Sequence, residues 1–194
     1  MNKVILRGDE LVKTHDSVQM DASAIAKGLG VDVIAEMLES AEIENYMVDI
    51  GGEIRARGVN DKGLIWRVGI DKPVENSRVR ELSAVVALAE GALATSGNYR
   101  NYRIQNGIKY GHIINPSTGF PVQQQVLSAS VYAPSCMEAD AYATAFMVME
   151  AEQVLTLVSN HPRLEVYLIC QKGDGGYEIR VSEGFGKMII DTGD

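Results

Sequence analysis

The chain predicts a single α+β domain with a mainly antiparallel sheet and helices packed on it. Short β-rich runs bounded by turn formers recur along its 194 residues and outnumber the stretches with helical spacing. No repeat or linker composition divides them. The Gly-x-Gly-x-x-Gly phosphate loop of a dinucleotide-binding parallel sheet is absent.

In order, residues 4–6 and 17–20 read as short strands, and 30–40 as an amphipathic helix with Val33, Ile34, Met37 and Leu38 at its apolar positions. Tyr46-Met47-Val48-Asp49-Ile50 alternates and stops at Gly51-Gly52, a strand running into a turn. Residues 53–58 and 65–70 read as a strand pair about the Asn60-Asp61-Lys62-Gly63 loop. Strands over 83–88 and 92–95 flank a turn at Glu90-Gly91. Residues 99–105 and 109–114 pair about Asn106-Gly107, the dipeptide of a type I′ hairpin. A strand over 128–133 precedes a long helix over 136–150, with Ala141, Ala145 and Val148 at helical spacing. A second helical piece over 152–159 ends near Pro162. Residues 165–171 and 177–181 form a hairpin, and 187–190 a final edge strand.

A chain of this length can bury a sizeable core, and 46% hydrophobic residues argue against disorder. The net charge of −8 repels phosphate backbones and anionic membranes, and no basic stripe offsets it, so nucleic acid is not an expected partner. No apolar run is long enough to span a bilayer. The charged start, Met1 to Glu10, lacks the apolar centre of a signal peptide, so by itself the sequence allows a cytoplasmic location. Cys136 and Cys170 could pair or remain core thiols, and no Cys or His neighbours stand at zinc spacing.

Chemistry concentrates in a few blocks. Glu138-Ala139-Asp140-Ala141-Tyr142-Ala143-Thr144 puts a carboxylate and a hydroxyl four residues apart on one helical face. Two hard oxygens suit Mg2+, which keeps several waters and borrows phosphate oxygens. The plainer reading is an Asp placed at a helix start by the dipole. Asp21 to Gly28 brackets Lys27 with small residues that open a helix, where a positive helix end and a cation would attract phosphate. Its alternative is a tightly packed helix start with a solvated Lys. Ala94 to Arg100 and Tyr110 to Pro121 are dense in turn formers and polar donors, as are loops that line sites.

These blocks, in this order, resemble the ApbE family of bacterial FAD:protein FMN transferases. The family pattern is similar to Asp21–Gly28, Gly51-Gly52-Glu53, Ala94–Arg100, His112–Gly119 and Ala139–Ala145, and the likeness runs from about residue 18 to about residue 191. Ala22-Ser23 stands where the family has Leu-Gly, Glu53 where Asp or Asn is usual, and Asn115 where Asp is usual. A long segment usually precedes the first block, whereas 20 residues precede Asp21 here. Residues 1–194 are therefore expected to be an ApbE-like flavin transferase domain matching the C-terminal portion of the family unit.

The resemblance implies that the Ala24 backbone carbonyl, Asp140 and Thr144 ligate Mg2+. It implies that Asp21, Lys27 and the Ile114 backbone contact FAD, and that Gly51 and Gly52 form a turn bordering the cleft. Thr95 and Tyr99 would lie just behind these groups. His112 would act beside Asp140 as base or phosphate ligand, unless it only orders the Asn115-Pro116 turn. The implied reaction moves FMN from FAD to a Thr or Ser hydroxyl of a target protein and releases AMP. The alternatives are a Mg2+-dependent FAD pyrophosphatase giving FMN and AMP, and a flavin-binding protein without catalysis. Family acceptors include membrane redox subunits, and the family location is extracytoplasmic, on the periplasmic side of the inner membrane behind a lipoprotein anchor.

Overall fold

The computed structural model describes residues 3–73, 81–97, 102–105, 108–111, 114–115, 118–120, 125–173 and 176–190. Twelve strands and four helices follow in the order β1 (Val4–Arg7), β2 (Glu10–Lys13), α1 (Ala26–Ser40), β3 (Tyr46–Ile50), β4 (Glu53–Arg57), β5 (Trp66–Asp71), β6 (Leu82–Leu88), β7 (Glu90–Gly97), β8 (Tyr102–Gln105), β9 (Ile108–Gly111), β10 (Val126–Ala133), α2 (Cys136–Phe146), α3 (Ala151–Ser159), β11 (Glu165–Gln171), β12 (Tyr177–Val181) and α4 (Glu183–Met188) among those residues. Six strands make the main sheet in the order β12-β11-β10-β7-β4-β3, every pairing antiparallel. The expected α+β architecture is what the chain forms.

Period-two alternation decides what each sheet face meets. Ala92, Ala94, Val131, Val166 and Leu168 point to one side, into a core with Val31 and Ala35 of α1, Ala139, Ala143 and Phe146 of α2, and Val154 of α3. Ile54, Ala56, Leu93, Tyr167 and Ile169 point to the other, into a second core with Val68 and Ile70 of β5, Val86 and Leu88 of β6, and Phe185 of α4. Burying each such aliphatic or aromatic side chain contributes about 1.5–3 kcal/mol. The result is three layers: helices, main sheet, then the β5–β6 hairpin with α4.

Several local expectations change. Residues 17–20, expected as a strand, form none, and β1 pairs with β2 because Gly8, with φ +59°, turns the chain back at once and sets Arg7 opposite Glu10. Residues 53–58 and 65–70 do not pair as strands. A single bridge, Val59 to Ile65, closes the Asn60–Gly63 loop, and β5 then pairs with β6. Gly58, at φ +71°, turns the chain out of the main sheet while its N–H reaches Ala89 O at 2.8 Å. Residues 90–91 lie inside β7 rather than in a turn between paired strands. β8 and β9 pair, with Gln105 opposite Ile108, and the expected turn at residues 106–107 lies outside the described residues.

The long helix stops at Phe146. Its last turn tightens, with Met147, Val148 and Met149 N–H groups bonding to carbonyls three residues back. A reciprocal cap between Glu150 and Gln153 then opens α3. The packed positions of α2 include Cys136, Ala139, Ala143 and Phe146, while Ala145 is exposed. The expected edge strand over 187–190 is instead mostly α4. Glu165 Oε2 accepts from the Phe185 N–H at 3.1 Å and from the Ser182 hydroxyl, which fixes the turn that drives Phe185 inward. Only Ile189 bridges to Val86.

The largest revision concerns α1. It starts at Ala26, four residues before the expected residue 30, and buries Gly28, Val31, Asp32 and Ala35. The apolar positions Val33, Ile34 and Met37 lie on its exposed side, with Met37 67% exposed. Tertiary demand overrides amphipathic spacing here, because the inward face carries the Asp that anchors α2.

Candidate active site

Where α1 crosses α2, each helix caps the other. Gly28 makes the crossing possible: a Cβ there would stand 2.3 Å from Cys136 O and 2.7 Å from Met137 Cα. At this contact Asp140 Oδ2 accepts from the Gly28 backbone N–H at 3.0 Å, in the first turn of α1. In return Asp32 of α1 takes the Cys136 and Met137 N–H groups at the start of α2, both at 2.9 Å. Both carboxylates are buried, Asp32 at 5% and Asp140 at 4% exposure. Each satisfies N–H groups that a helix start leaves unpaired and sits at the favourable end of the dipole.

β4 supplies the counter-charges. Glu53 and Arg55 alternate with Ile54 and Ala56, which lie in the second core, so both face the helices. Arg55 Nη1 reaches Asp32 Oδ1 at 2.9 Å and Nη2 reaches Glu39 Oε1 at 3.1 Å. Glu39 also accepts from the Tyr46 hydroxyl. Glu53 Oε1 takes Lys27 Nζ at 2.6 Å. Its other oxygen, Oε2, is buried without a hydrogen-bond partner among the described residues. Burial pushes the Glu53 carboxyl up, Lys27 pulls it down, and the nearby Asp140 charge pushes it up again.

One turn along α2, Thr144 Oγ1 lies 3.2 Å from Ser96 Oγ at the end of β7. Gly51 and Gly52, at φ +66° and +102°, make the turn between β3 and β4, pinned by the Gly52 N–H on Asp49 Oδ1 at 2.8 Å. One corner thus gathers a buried carboxylate and a hydroxyl at helical spacing, an ammonium, and a buried carboxylate with one unpaired oxygen.

The ApbE family model matches residues 1–168. The chain belongs to the ApbE family. Among its relatives, the FAD:protein FMN transferase of Vibrio cholerae is 44% identical over 170 residues, covering 88% of this chain and 50% of that protein. That of Haemophilus influenzae is 41% identical over 178 residues, covering 92% and 51%. The solved flavin transferase ApbE from Vibrio cholerae superposes with a TM-score of 0.84 at 41% identity, covering 96% of this chain and 58% of that one. The ApbE protein from Thermotoga maritima gives 0.81 at 28% identity, covering 97% and 60%. The chain spans about half the length of the curated relatives it matches.

Several of the residues expected from ApbE likeness meet at this corner. Lys27 and Asp140 converge through Gly28 and Glu53, with Thr144 one turn from Asp140 and the Gly51-Gly52 turn directly before Glu53. Ala24, half-buried, lies in the turn that leads into α1. Asp21 is exposed, and its Oδ1 accepts from the Ser23 N–H at 2.6 Å, so Ser23 holds its carboxyl below the usual range. Ile114 is 48% exposed. His112 and Tyr99 lie outside the described residues. Thr95 points away from the helices and bonds Ser130 at 2.8 Å.

The start of α1, expected to attract phosphate, instead holds Asp140 on the Gly28 N–H. Ser96, inside the ApbE Ala94–Arg100 block, joins the site through Thr144 without any local signal of its own. Glu53 was noted only as a departure from the family pattern; its signal was a charged residue at an inward position of an alternating strand.

Proposed function

We propose that this chain carries the diphosphate-binding side of an FAD:protein FMN transferase. The reading transfers FMN from FAD to a Thr or Ser hydroxyl of an acceptor protein and releases AMP. The observation that carries it is the α1–α2 crossing, where the Asp140–Gly28 bond draws the Lys-Gly block and the Asp-x-x-x-Thr block into one place.

The donor set fits a hard divalent cation. Asp140 and Thr144 offer a carboxylate and a hydroxyl on one face, and the unpaired Glu53 Oε2 leaves local negative charge that one ammonium only partly offsets. Among the described residues no three His, Cys, Asp or Glu side chains gather as a ligand set, so a bound metal would rely on oxygens of another kind. Asp140, Thr144 and the Ala24 carbonyl would hold Mg2+, which supplies neutralisation of phosphate charge.

The chain's own groups do the rest. Gly28 N–H orients the Asp140 carboxylate, and the Ser96 hydroxyl sits against Thr144. Lys27 offers a point charge to diphosphate oxygens, with Asp21, the Ile114 backbone and the Gly51-Gly52 turn along the FAD cleft. The acceptor oxygen bonds to the FMN phosphorus while the bond from that phosphorus to the AMP oxygen breaks. The acceptor proton passes to a base, for which His112 is the proposed group. Membrane redox subunits on the periplasmic side, reached from a lipoprotein anchor, are the proposed acceptors.

The test mixes this chain with FAD, Mg2+ and a candidate acceptor subunit. AMP release is followed by chromatography and protein-bound flavin by in-gel fluorescence. Flavin on the acceptor with stoichiometric AMP supports the transferase. AMP and free FMN without labelled acceptor makes it a pyrophosphatase, and no AMP removes the proposed catalysis from this chain.

A further inference from the structure

β4 sends two side chains to α1 with opposite charge, and the two ion pairs are built differently. Asp32 is fully engaged by two backbone N–H groups and Arg55. Glu53 is not. It is 2% exposed, yet the Lys27 side chain that pairs with its Oε1 is 50% exposed, and Oε2 has no hydrogen-bond partner among the described residues. A buried carboxylate so incompletely paired is a poor element of stability, since an apolar side chain of similar volume would serve the fold as well or better. What an apolar residue could not do is hold the Lys27 ammonium in one place, against the Glu53 carboxylate. A free lysine spreads its charge over many rotamers of a four-carbon stem. Tethered to Glu53, its Nζ is fixed where the site needs it, before any ligand arrives.

We propose that Glu53 is a positioning residue that pre-sets Lys27 for a bound nucleotide diphosphate. This rests on the reading of Lys27 as a diphosphate contact. Glu53 acts through Lys27, so its effect on the ligand vanishes when Lys27 is gone.

The experiment compares Glu53→Gln, Glu53→Asp and Glu53→Met in the wild-type and Lys27→Met backgrounds, using FAD with Mg2+ as the probe and thermal melting as the fold control. Glu53→Gln weakens FAD binding about ten-fold, the scale of one hydrogen bond to a charged group. Glu53→Asp restores part of that loss. Glu53→Met melts no lower than wild type while binding as poorly as Glu53→Gln. In the Lys27→Met background none of the three changes affinity further. A second readout needs no ligand: reductive methylation of Lys27 Nζ, followed by peptide mass spectrometry, runs faster in Glu53→Gln than in wild type. Equal affinity losses in both backgrounds, or an unchanged Lys27 methylation rate, overturn the proposal. If wild type does not bind FAD, the nucleotide reading fails for this chain, and the methylation rates alone decide whether Glu53 holds Lys27.

Discussion

Asp140 Oδ2 and the Gly28 backbone N–H meet at 3.0 Å across 112 residues of sequence. The bond exists because residue 28 has no side chain to hold the two helices apart. Gly28→Ala therefore forces a Cβ against the Cys136 carbonyl, 2.3 Å away. Overpacking of this kind costs about 1–3 kcal/mol. A lower urea midpoint with an unchanged slope is the expected outcome. A variant as stable as wild type would mean that the helices do not cross so closely.

Asp32 has the same role from the other side. Asp32→Asn removes the charge facing the start of α2 and leaves Arg55 with Glu39 alone. Breaking a buried pair by one partner costs about 3–5 kcal/mol. Equilibrium unfolding should show a loss on that scale, larger than for Asn substitution at exposed Asp61.

Asp140→Asn and Thr144→Ala probe the metal reading separately from the fold. Both should remove Mg2+-dependent AMP release from FAD, with far-UV circular dichroism unchanged. Asn keeps an oxygen for the Gly28 N–H, so its melting temperature should fall less than that of Asp140→Ala. Full activity in Asp140→Asn would take the carboxylate out of the chemistry.

Tyr46 and Glu39 give a pH signature. Burial, then the hydrogen bond to Glu39, pushes the Tyr46 phenol from 10.0 up to about 12. A raised value in the fold means stability that is complete below pH 10.0 and is lost as pH rises through about 12. Glu39 is held below its ordinary 4.5, first by the Tyr46 hydroxyl, so its contribution is present above pH 4.5 and is lost as pH falls. Melting temperatures of Tyr46→Phe should fall less than wild type on the alkaline side, and those of Glu39→Gln less on the acid side. Parallel curves for wild type and variants would discount the pair.

The turns and hairpins were legible because their signals are local. Gly51-Gly52 names its own geometry, and Asp140 with Thr144 needs only helical spacing. The mutual capping was not legible. Asp32 meets Cys136 across 104 residues, and nothing near either residue announces it. The same distant partner explains why the buried side of α1 was misjudged, since a carboxylate at position 32 reads as solvent-facing until its donors are known. Residues 187–190 misled in a similar way, because their β-like run is overruled by Glu165, which caps the turn before Phe185.

The two helix beginnings at the crossing are already closed by aspartates from within the chain. An incoming polyanion meets negative charge at the poles where bare helices would welcome it. Its recruitment must then lean on Lys27 and on whatever cation accompanies it, and should fade steeply as background electrolyte rises.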